Sequence, residues 1–540
     1  MSGQTGSDYV YGALDAEGVD VLFGLIGEGN AHLLDRVNDH PVAFRYARHE
    51  QAAVTMADAY ARVTGEVGVC TLTHGPGVTN GATGLAAADR DGIPLVVLVG
   101  DTAQAGRETS LQYLDHERFA APISGYQTRA ESPGTLPETL ARAFDAARTE
   151  RTPAVVELPA EIQEGEAPAE PYAPRPRHPQ RPRPDPERLD EATALLEAAD
   201  RPAILAGGGA AASGAGEAAI ELAERLGAPL ATTFFAKGLV PDSHPIHTGI
   251  VGTFMTPASE ALFTDVDALL AVGARLSGKT TRYGALWGEA DVIQVDVDRG
   301  AIGTHREPAV GLVGDARATC RALAGRVDPH PDRAEAVRDR IAAAGTPADV
   351  ERAEREGLID PRDLVEAIGE RVDGGIVTVG SGNNTGFPPV FHRMEAGRML
   401  VNGNFGTMGY SLPAALGAAV AAPDEPVVCY TGDGAFLQVL QEVETAVRLG
   451  LGILIVVLND ARYGIIGLRQ ELEYGRETAA GYDSPDFAAV ARGLGARAAT
   501  VRSREDLSVV DEFLAAEPDV PLVLDARTIP EVSRPGFPPY

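Results

Sequence analysis

The sequence predicts an α/β protein made of three doubly wound parallel-sheet domains. Short Val/Ile/Leu-rich runs alternate with helical patterns along the chain. Such runs, separated by helices, mark parallel strands covered on both faces. The runs fall into three blocks, and at 540 residues the chain is too long for a single core. Segments rich in proline and charge separate the blocks.

The first block, about 1–165, carries VGVCTLT, PLVVLVG and PAVVEL. Proline, arginine and glutamate then crowd 164–186, which reads as an extended linker because so much proline cannot enter a helix or central strand. The second block, 187–327, carries PAILAGGG, ALLAVGA and DVIQVDV. A charged segment of helical pattern over 328–359 leads to Pro361 and the third block, 360–530, with GIVTVG, PVVCYTGD and GILIVVLND.

Bulk properties narrow the function classes. The formal net charge of −31 argues against nucleic acid or an anionic membrane as partner. Lysine occurs only at Lys237 and Lys279, a bias of composition with no functional content. Cys70, Cys320 and Cys429 are far apart and lack metal spacing, so buried free thiols are expected and a disulfide framework is not. The N-terminus lacks a basic, apolar leader and no run reaches about 18 apolar residues, so a cytoplasmic protein is expected.

Two turns in the third block ask for chemistry. CYTGDGAF (429–436) puts Gly432-Asp433-Gly434 at the end of one apolar run, and VVLND puts Asn459-Asp460 at the end of the next. Between them FLQVLQEVETAVRLG reads as one helix, with Leu437, Leu440, Val443 and Val447 on one face and Gly450 as its cap. A right-handed crossover makes the two strands parallel, so both turns reach the same edge, where doubly wound sheets bind ligands. An aspartate, an Asn/Asp pair and a backbone carbonyl form an oxygen-rich, incomplete shell suited to Mg²⁺. The glycines admit a diphosphate beside a helix N-terminus. Taken singly, each motif is equally an ordinary capped turn.

G-D-G followed one helix and one strand later by N-D resembles the thiamine-diphosphate binding motif. RHEQAAVTMADAYARVTG (48–65), THGPGVTNGATGL (73–85), GNFGTMGYSLPAALGAA (403–419) and SPDFAAVARGLGA (484–496) are similar to further segments of that enzyme family, in its acetolactate synthase-like branch. The resemblance implies a pyrimidine-binding, a central and a diphosphate-binding domain in that order, with thiamine diphosphate and Mg²⁺ as cofactors. It implies that Glu50 activates the cofactor by hydrogen-bonding its pyrimidine ring, with Pro76 and Asn80 in the neighbouring loop. It places the Gly406 carbonyl on the aminopyrimidine and Met408 beneath the cofactor. Gly432, Asp433, Gly434, Ala435, Asp460, Tyr463, Gly464 and Ile465 would hold the diphosphate end. Asp433, Asp460 and the Arg462 carbonyl would hold the metal. The family has an amide where Asp460 stands, so Asn459 remains an alternative ligand. Glu50 would act on cofactor held by another subunit, which implies at least a homodimer, or a homotetramer.

Substrate-side candidates are Glu28, His74 and Gln112, with His116 nearby; any of them alone is equally a satisfied turn residue. The resemblance implies cleavage next to the carbonyl of a 2-oxo acid or related compound and transfer of the activated aldehyde to an acceptor. Ile466 stands where simple decarboxylases carry a glutamate, which argues against release of free aldehyde. Arg469 stands where the synthases carry a tryptophan, which argues against acetolactate itself. GARLSGKTTRYG departs from the synthases' flavin-associated segment, and GGG (207–209) lacks the dinucleotide fingerprint, so FAD is a disfavoured third cofactor. The rival expectations are a decarboxylase, a non-catalytic relative that keeps the fold, and a nicotinamide dehydrogenase.

Overall fold

The computed structural model describes residues 4–176 and 181–536. Three six-stranded sheets, parallel throughout, account for its strands. The first is built from β1 (Val21–Gly24), β2 (Ala43–Tyr46), β3 (Gly68–Leu72), β4 (Leu95–Asp101), β5 (Tyr126–Arg129) and β6 (Pro153–Pro159) in the order β2-β1-β3-β4-β6-β5. The second holds β7 (Pro202–Ala206), β8 (Leu230–Thr232), β9 (His247–Ile250), β10 (Ala268–Val272), β11 (Asp291–Asp296) and β12 (Val310–Val313), ordered β12-β11-β10-β7-β8-β9. The third holds β13 (Ile376–Val379), β14 (Arg398–Val401), β15 (Val427–Gly432), β16 (Leu454–Asn459), β17 (Arg497–Val501) and β18 (Leu522–Arg527), ordered β14-β13-β15-β16-β18-β17. The outer sheets therefore share one topology, and the middle one differs. The central strands are buried on both faces, as β4 and β16 show along their whole lengths. This is why they read as unbroken apolar runs.

The strand order sets where sites can form. In the first sheet the winding reverses between β1 and β3, and in the third between β13 and β15. Crevices open beyond the carboxyl ends of strands at such points. In the first sheet these ends carry Glu28 and His74; in the third they carry Ser381–Asn384 and Gly432–Asp433.

The segments between the blocks pack onto their neighbours. Tyr172 donates its hydroxyl to Glu17 of the first domain at 2.6 Å, while 177–180 of the expected linker lie outside the described residues. The helix Pro331–Ala343 buries Ala334 and Val337, and Val337 joins the core of the middle domain. All three cysteines are buried and free.

The outer domains meet through two helices, Glu50–Thr64 and Ser411–Ala421, which share one apolar core. They cross so closely that a side chain at Gly417 would collide with the Met56 carbonyl.

One expectation is corrected. The stretch after Gly432-Asp433 is two helices, Asp433–Val439 and Glu442–Leu449, and Leu437 is exposed. The second begins at Glu442, which is fully buried. Its carboxylate accepts from the Arg48 backbone N–H at 3.1 and 3.2 Å and from Thr445 Oγ1 at 2.7 Å. That carboxylate ties the start of the second helix to the first domain.

Candidate active site

A cleft of about 250 Å³ opens at the carboxyl ends of β13, β15 and β16. It gathers most of the residues expected on the diphosphate side. Gly406, Met408, Gly432, Asp433, Gly434, Ala435, Asp460, Arg462, Tyr463, Gly464 and Ile465 all line it, and so does Ile466. β15 and β16 pair in parallel up to Gly432 beside Leu458, so the two acidic turns emerge side by side. Close approach of the turns needs two glycines. A Cβ on Gly434 would stand 2.7 Å from the Tyr463 ring, and one on Gly464 would collide with the Asp460 carboxylate.

The electrostatics of the cleft call for a cation. Asp433 is buried, and one of its oxygens accepts from the Gly434 N–H at 2.9 Å. Its other oxygen, Oδ2, has no hydrogen-bond partner. The Tyr482 hydroxyl stands beside Asp433 without closing a bond of ordinary geometry, and is likewise unpartnered. Burial pushes the Asp433 carboxyl up to about 6. Asp460 is pushed up to about 7 by burial and then by the charge of Asp433. Two buried carboxyls that resist ionising together are the arrangement a divalent ion relieves. The orphaned Oδ2 gives that ion a ligand, so the donor set fits Mg²⁺.

Asn459 does not face the cleft. It ends β16 buried, and its amide donates to Asp525 of β18 at 2.7 Å while its carbonyl accepts from Ala461 N at 3.3 Å. Between Asp460 and Arg462, Ala461 adopts φ of 58°, a left-handed conformation that costs a non-glycine residue energy. This turn aims Asp460 into the cleft. The Arg462 guanidinium pairs with Glu477 at 2.9 Å, and its Nε stands 3.9 Å from Asp460 Oδ2.

The sequence reading missed one wall. Ser381, Gly382, Asn383, Asn384 and Phe387 line the cleft from the turn after β13, and Pro361, Thr528 and Ile529 close it. The available signal was GIVTVG running into SGNN, a third strand ending in a polar, glycine-containing turn.

Every lining residue belongs to the third domain. Glu50, Glu28, His74, Pro76, Asn80 and Gln112 lie outside the cleft, gathered in the first domain. Glu50 is buried at the first position of its helix and accepts from Asn80 Nδ2 at 3.0 Å. Pro76 opens the helix Pro76–Asp91 that carries Asn80. His74 is buried, Nδ1 has no partner, and burial lowers its pKa against the opposing charges of Asp101 and Glu28. Glu28 itself is exposed. A side chain at Gly75 would collide with the Gln112 backbone, and the Gly75 N–H donates to His116 Nε2 at 2.9 Å. His116 thus fixes the turn that bears His74. Asp101, His116 and Glu157 bring their ligand atoms within 4.8 Å of one another. Arg107 and Arg129 already neutralise both acids, with Arg129 Nη1 at 2.8 Å from Glu157. That cluster is an ion-pair core rather than a cation site.

In the middle sheet the corresponding crevice lies between β7 and β10. There Gly207 N donates to Val272 O at 2.9 Å and Gly209 N to Gly273 O at 3.0 Å, so the two loops meet backbone to backbone.

Comparison with known proteins agrees with this architecture. Residues 4–119 match the description "Thiamine pyrophosphate enzyme, N-terminal TPP binding domain". Residues 189–323 match its central domain and 380–526 its C-terminal TPP binding domain. The chain is 33% identical over 559 residues to a probable acetolactate synthase large subunit of Methanocaldococcus jannaschii, covering 99% of this chain and 93% of that one. It is 32% identical over 547 residues to an acetolactate synthase of Mycobacterium bovis, covering 96% and 87%. It is 31% identical over 529 residues to a sulfoacetaldehyde acetyltransferase of Alcaligenes xylosoxydans xylosoxydans, covering 91% and 87%.

Proposed function

The chain belongs to the thiamine pyrophosphate enzymes, and from that premise we propose that it is a Mg²⁺-dependent carboligase. In this proposal it cleaves the bond next to the carbonyl of a 2-oxo acid or related compound and transfers the activated aldehyde to a second carbonyl compound. The observation that carries the cofactor assignment is the orphaned Asp433 Oδ2 facing Asp460 in a glycine-walled cleft. When bound, thiamine diphosphate supplies a nucleophilic carbon that adds to the substrate carbonyl and holds the electron pair released as the adjacent bond breaks.

The residues divide the remaining work. Asp433, Asp460 and the Arg462 carbonyl hold the metal, and the glycines of 432–434 let the diphosphate reach the backbone. Met408 and the Gly406 carbonyl seat the pyrimidine end. Glu50, kept in place by Asn80, exchanges a proton with the pyrimidine ring. Since the cleft is lined by the third domain alone, we assign Glu50 to the cleft of a partner chain across a two-fold axis. His74, Gln112 and Glu28 come with it as the substrate side. The buried free thiols accord with a cytoplasmic setting. FAD has no role in this proposal.

Relatives named acetolactate synthase and sulfoacetaldehyde acetyltransferase support the transfer reading. Ile465 and Ile466 support transfer over protonation, because neither can deliver a proton to the reacting carbon. Calorimetric titration with thiamine diphosphate, with and without EDTA, tests the cofactor assignment. Saturable, EDTA-sensitive binding is expected, and its absence would overturn the assignment.

A further inference from the structure

The loop that carries Gly406 and Met408 is held from another domain. Asn402, 1% exposed, directs its side-chain oxygen at the backbone N–H groups of Gly406 and Thr407, at 2.9 and 3.2 Å. Its amide donates to Asp91 Oδ2 at 3.0 Å and to the Ala87 carbonyl at 3.3 Å. Asn404 donates to Asp91 Oδ1 twice, from its backbone at 3.2 Å and its side chain at 2.8 Å. Asp91 therefore accepts three hydrogen bonds from one short loop, with its side chain only 2% exposed.

The charge of Asp91 is balanced locally. Arg62 Nη2 lies 2.7 Å from Asp91 Oδ2, and Arg62 Nε lies 2.7 Å from Asp58 Oδ1. Asp58 also accepts from Tyr410 Oη at 2.8 Å. The loop is thus clamped at both ends, at Asn402 and at Tyr410, and a single guanidinium joins the clamps. The middle domain adds a third hold, Lys279 Nζ to the Gly403 carbonyl at 3.2 Å.

Asp91 closes the helix Pro76–Asp91, whose first turns carry Asn80 against Glu50. One rigid element of 16 residues therefore touches the Glu50 pair at one end and the 402–408 loop at the other. We propose that Asp91 is a positioning residue for the cofactor. Acting through Asn402, it presents the Gly406 carbonyl and Met408 to the pyrimidine end of the cofactor in this chain's own cleft. The proposal rests on the thiamine diphosphate assignment above. It adds that the first domain builds the third domain's cofactor seat within the same chain, besides supplying Glu50.

The test compares Asp91→Asn and Asn402→Ala with the unaltered protein. Asp91→Asn removes the charge and one acceptor atom, whereas Asn402→Ala removes the two loop contacts with the bonds to Asp91 and Ala87 and leaves the Arg62–Asp91 ion pair in place, so the second variant remains informative if the first folds poorly. Amide exchange of Gly406 and Thr407 without cofactor reads the loop, and calorimetry with Mg²⁺ reads thiamine diphosphate affinity. Solvent exchange of the thiazolium C2 proton at saturation reads positioning, which a merely structural role would leave unmoved. Both variants should speed amide exchange and weaken cofactor affinity by about tenfold or more. They should also slow C2 exchange although Glu50 is intact. Unchanged affinity and C2 exchange in both would overturn the proposal while the cofactor assignment stands. No binding by the unaltered protein would overturn the assignment, and with it the positioning role.

Discussion

Asn459 donates its amide to Asp525 across 2.7 Å inside the sheet, while its neighbour Asp460 lines the cleft. Adjacent residues of one turn thus divide structure from chemistry. Asp460→Ala should lose Mg²⁺-dependent cofactor binding and keep the fold, because the cleft loses a ligand and a carboxyl that burial already disfavours. Asn459→Ala should leave a buried acceptor on Asp525 and cost about 1–3 kcal/mol of stability. Calorimetry and thermal melts of the two variants should give these opposite patterns. Loss of metal binding in Asn459→Ala without loss of stability would reverse the assignment.

Acid should destabilise the protein through two histidines that do not line the cleft. His247 and His392 are buried, and burial lowers their pKa values to about 4 and about 3. Lys237 adds to this for both, while Asp242 opposes it. In the unfolded chain both take up protons near pH 6.5. Their neutral forms therefore cost the fold nothing above pH 6.5, and stability falls as the pH drops from there toward 4. Each histidine should contribute about 1.4 kcal/mol per pH unit in that window. Replacing His392 by Gln, which can keep a bond to the Tyr430 hydroxyl now 2.9 Å from Nδ1, should flatten the slope of melting temperature against pH. An unchanged slope would show that His392 already protonates in the fold.

Central strands and the two acidic turns were legible in the sequence because both are local signals. β4, β15 and β16 read as apolar runs, and their turns follow at once. Two edge strands, β5 and β17, were not legible. β5 is YQTR, half-buried throughout, and β17 is RAATV with only Val501 fully buried, so neither alternates nor runs apolar. The anchor at Glu442 was hidden for another reason: it answers an N–H of Arg48, nearly four hundred residues upstream. Asp91 and Asn402 meet across a similar span. No periodicity reports such pairs, so the architecture of the cleft could be read while its supports could not.

Glu50→Gln should retain cofactor affinity and lose proton exchange. Glu50 is buried beside Asn80, and a glutamine keeps the shape and an acceptor for that amide. It cannot exchange a proton with the pyrimidine ring. Exchange of the C2 proton should fall by about 10²–10⁴-fold, the usual contribution of general acid–base catalysis. Undiminished exchange would reduce Glu50 to an acid favoured by its helix N-terminus.

The last prediction concerns what leaves the site. After the first bond breaks, the reacting carbon either takes a proton, releasing aldehyde, or attacks a second carbonyl compound. A positioned acid favours the first outcome. Ile466 lines the cleft without one, so transfer to an added acceptor should dominate with pyruvate and larger 2-oxo acids. Ile466→Glu should raise the share of free aldehyde, because it restores an acid on that wall. Glu28 is the competing source. It is exposed on the first domain, and its charge reaches the unpartnered His74, so a partner chain could bring it to the reacting carbon from the opposite side. Product analysis with and without an aldehyde acceptor separates the cases. Free aldehyde as the main product under all conditions would refute the carboligase assignment, and its loss in Glu28→Gln would identify Glu28 as the proton donor.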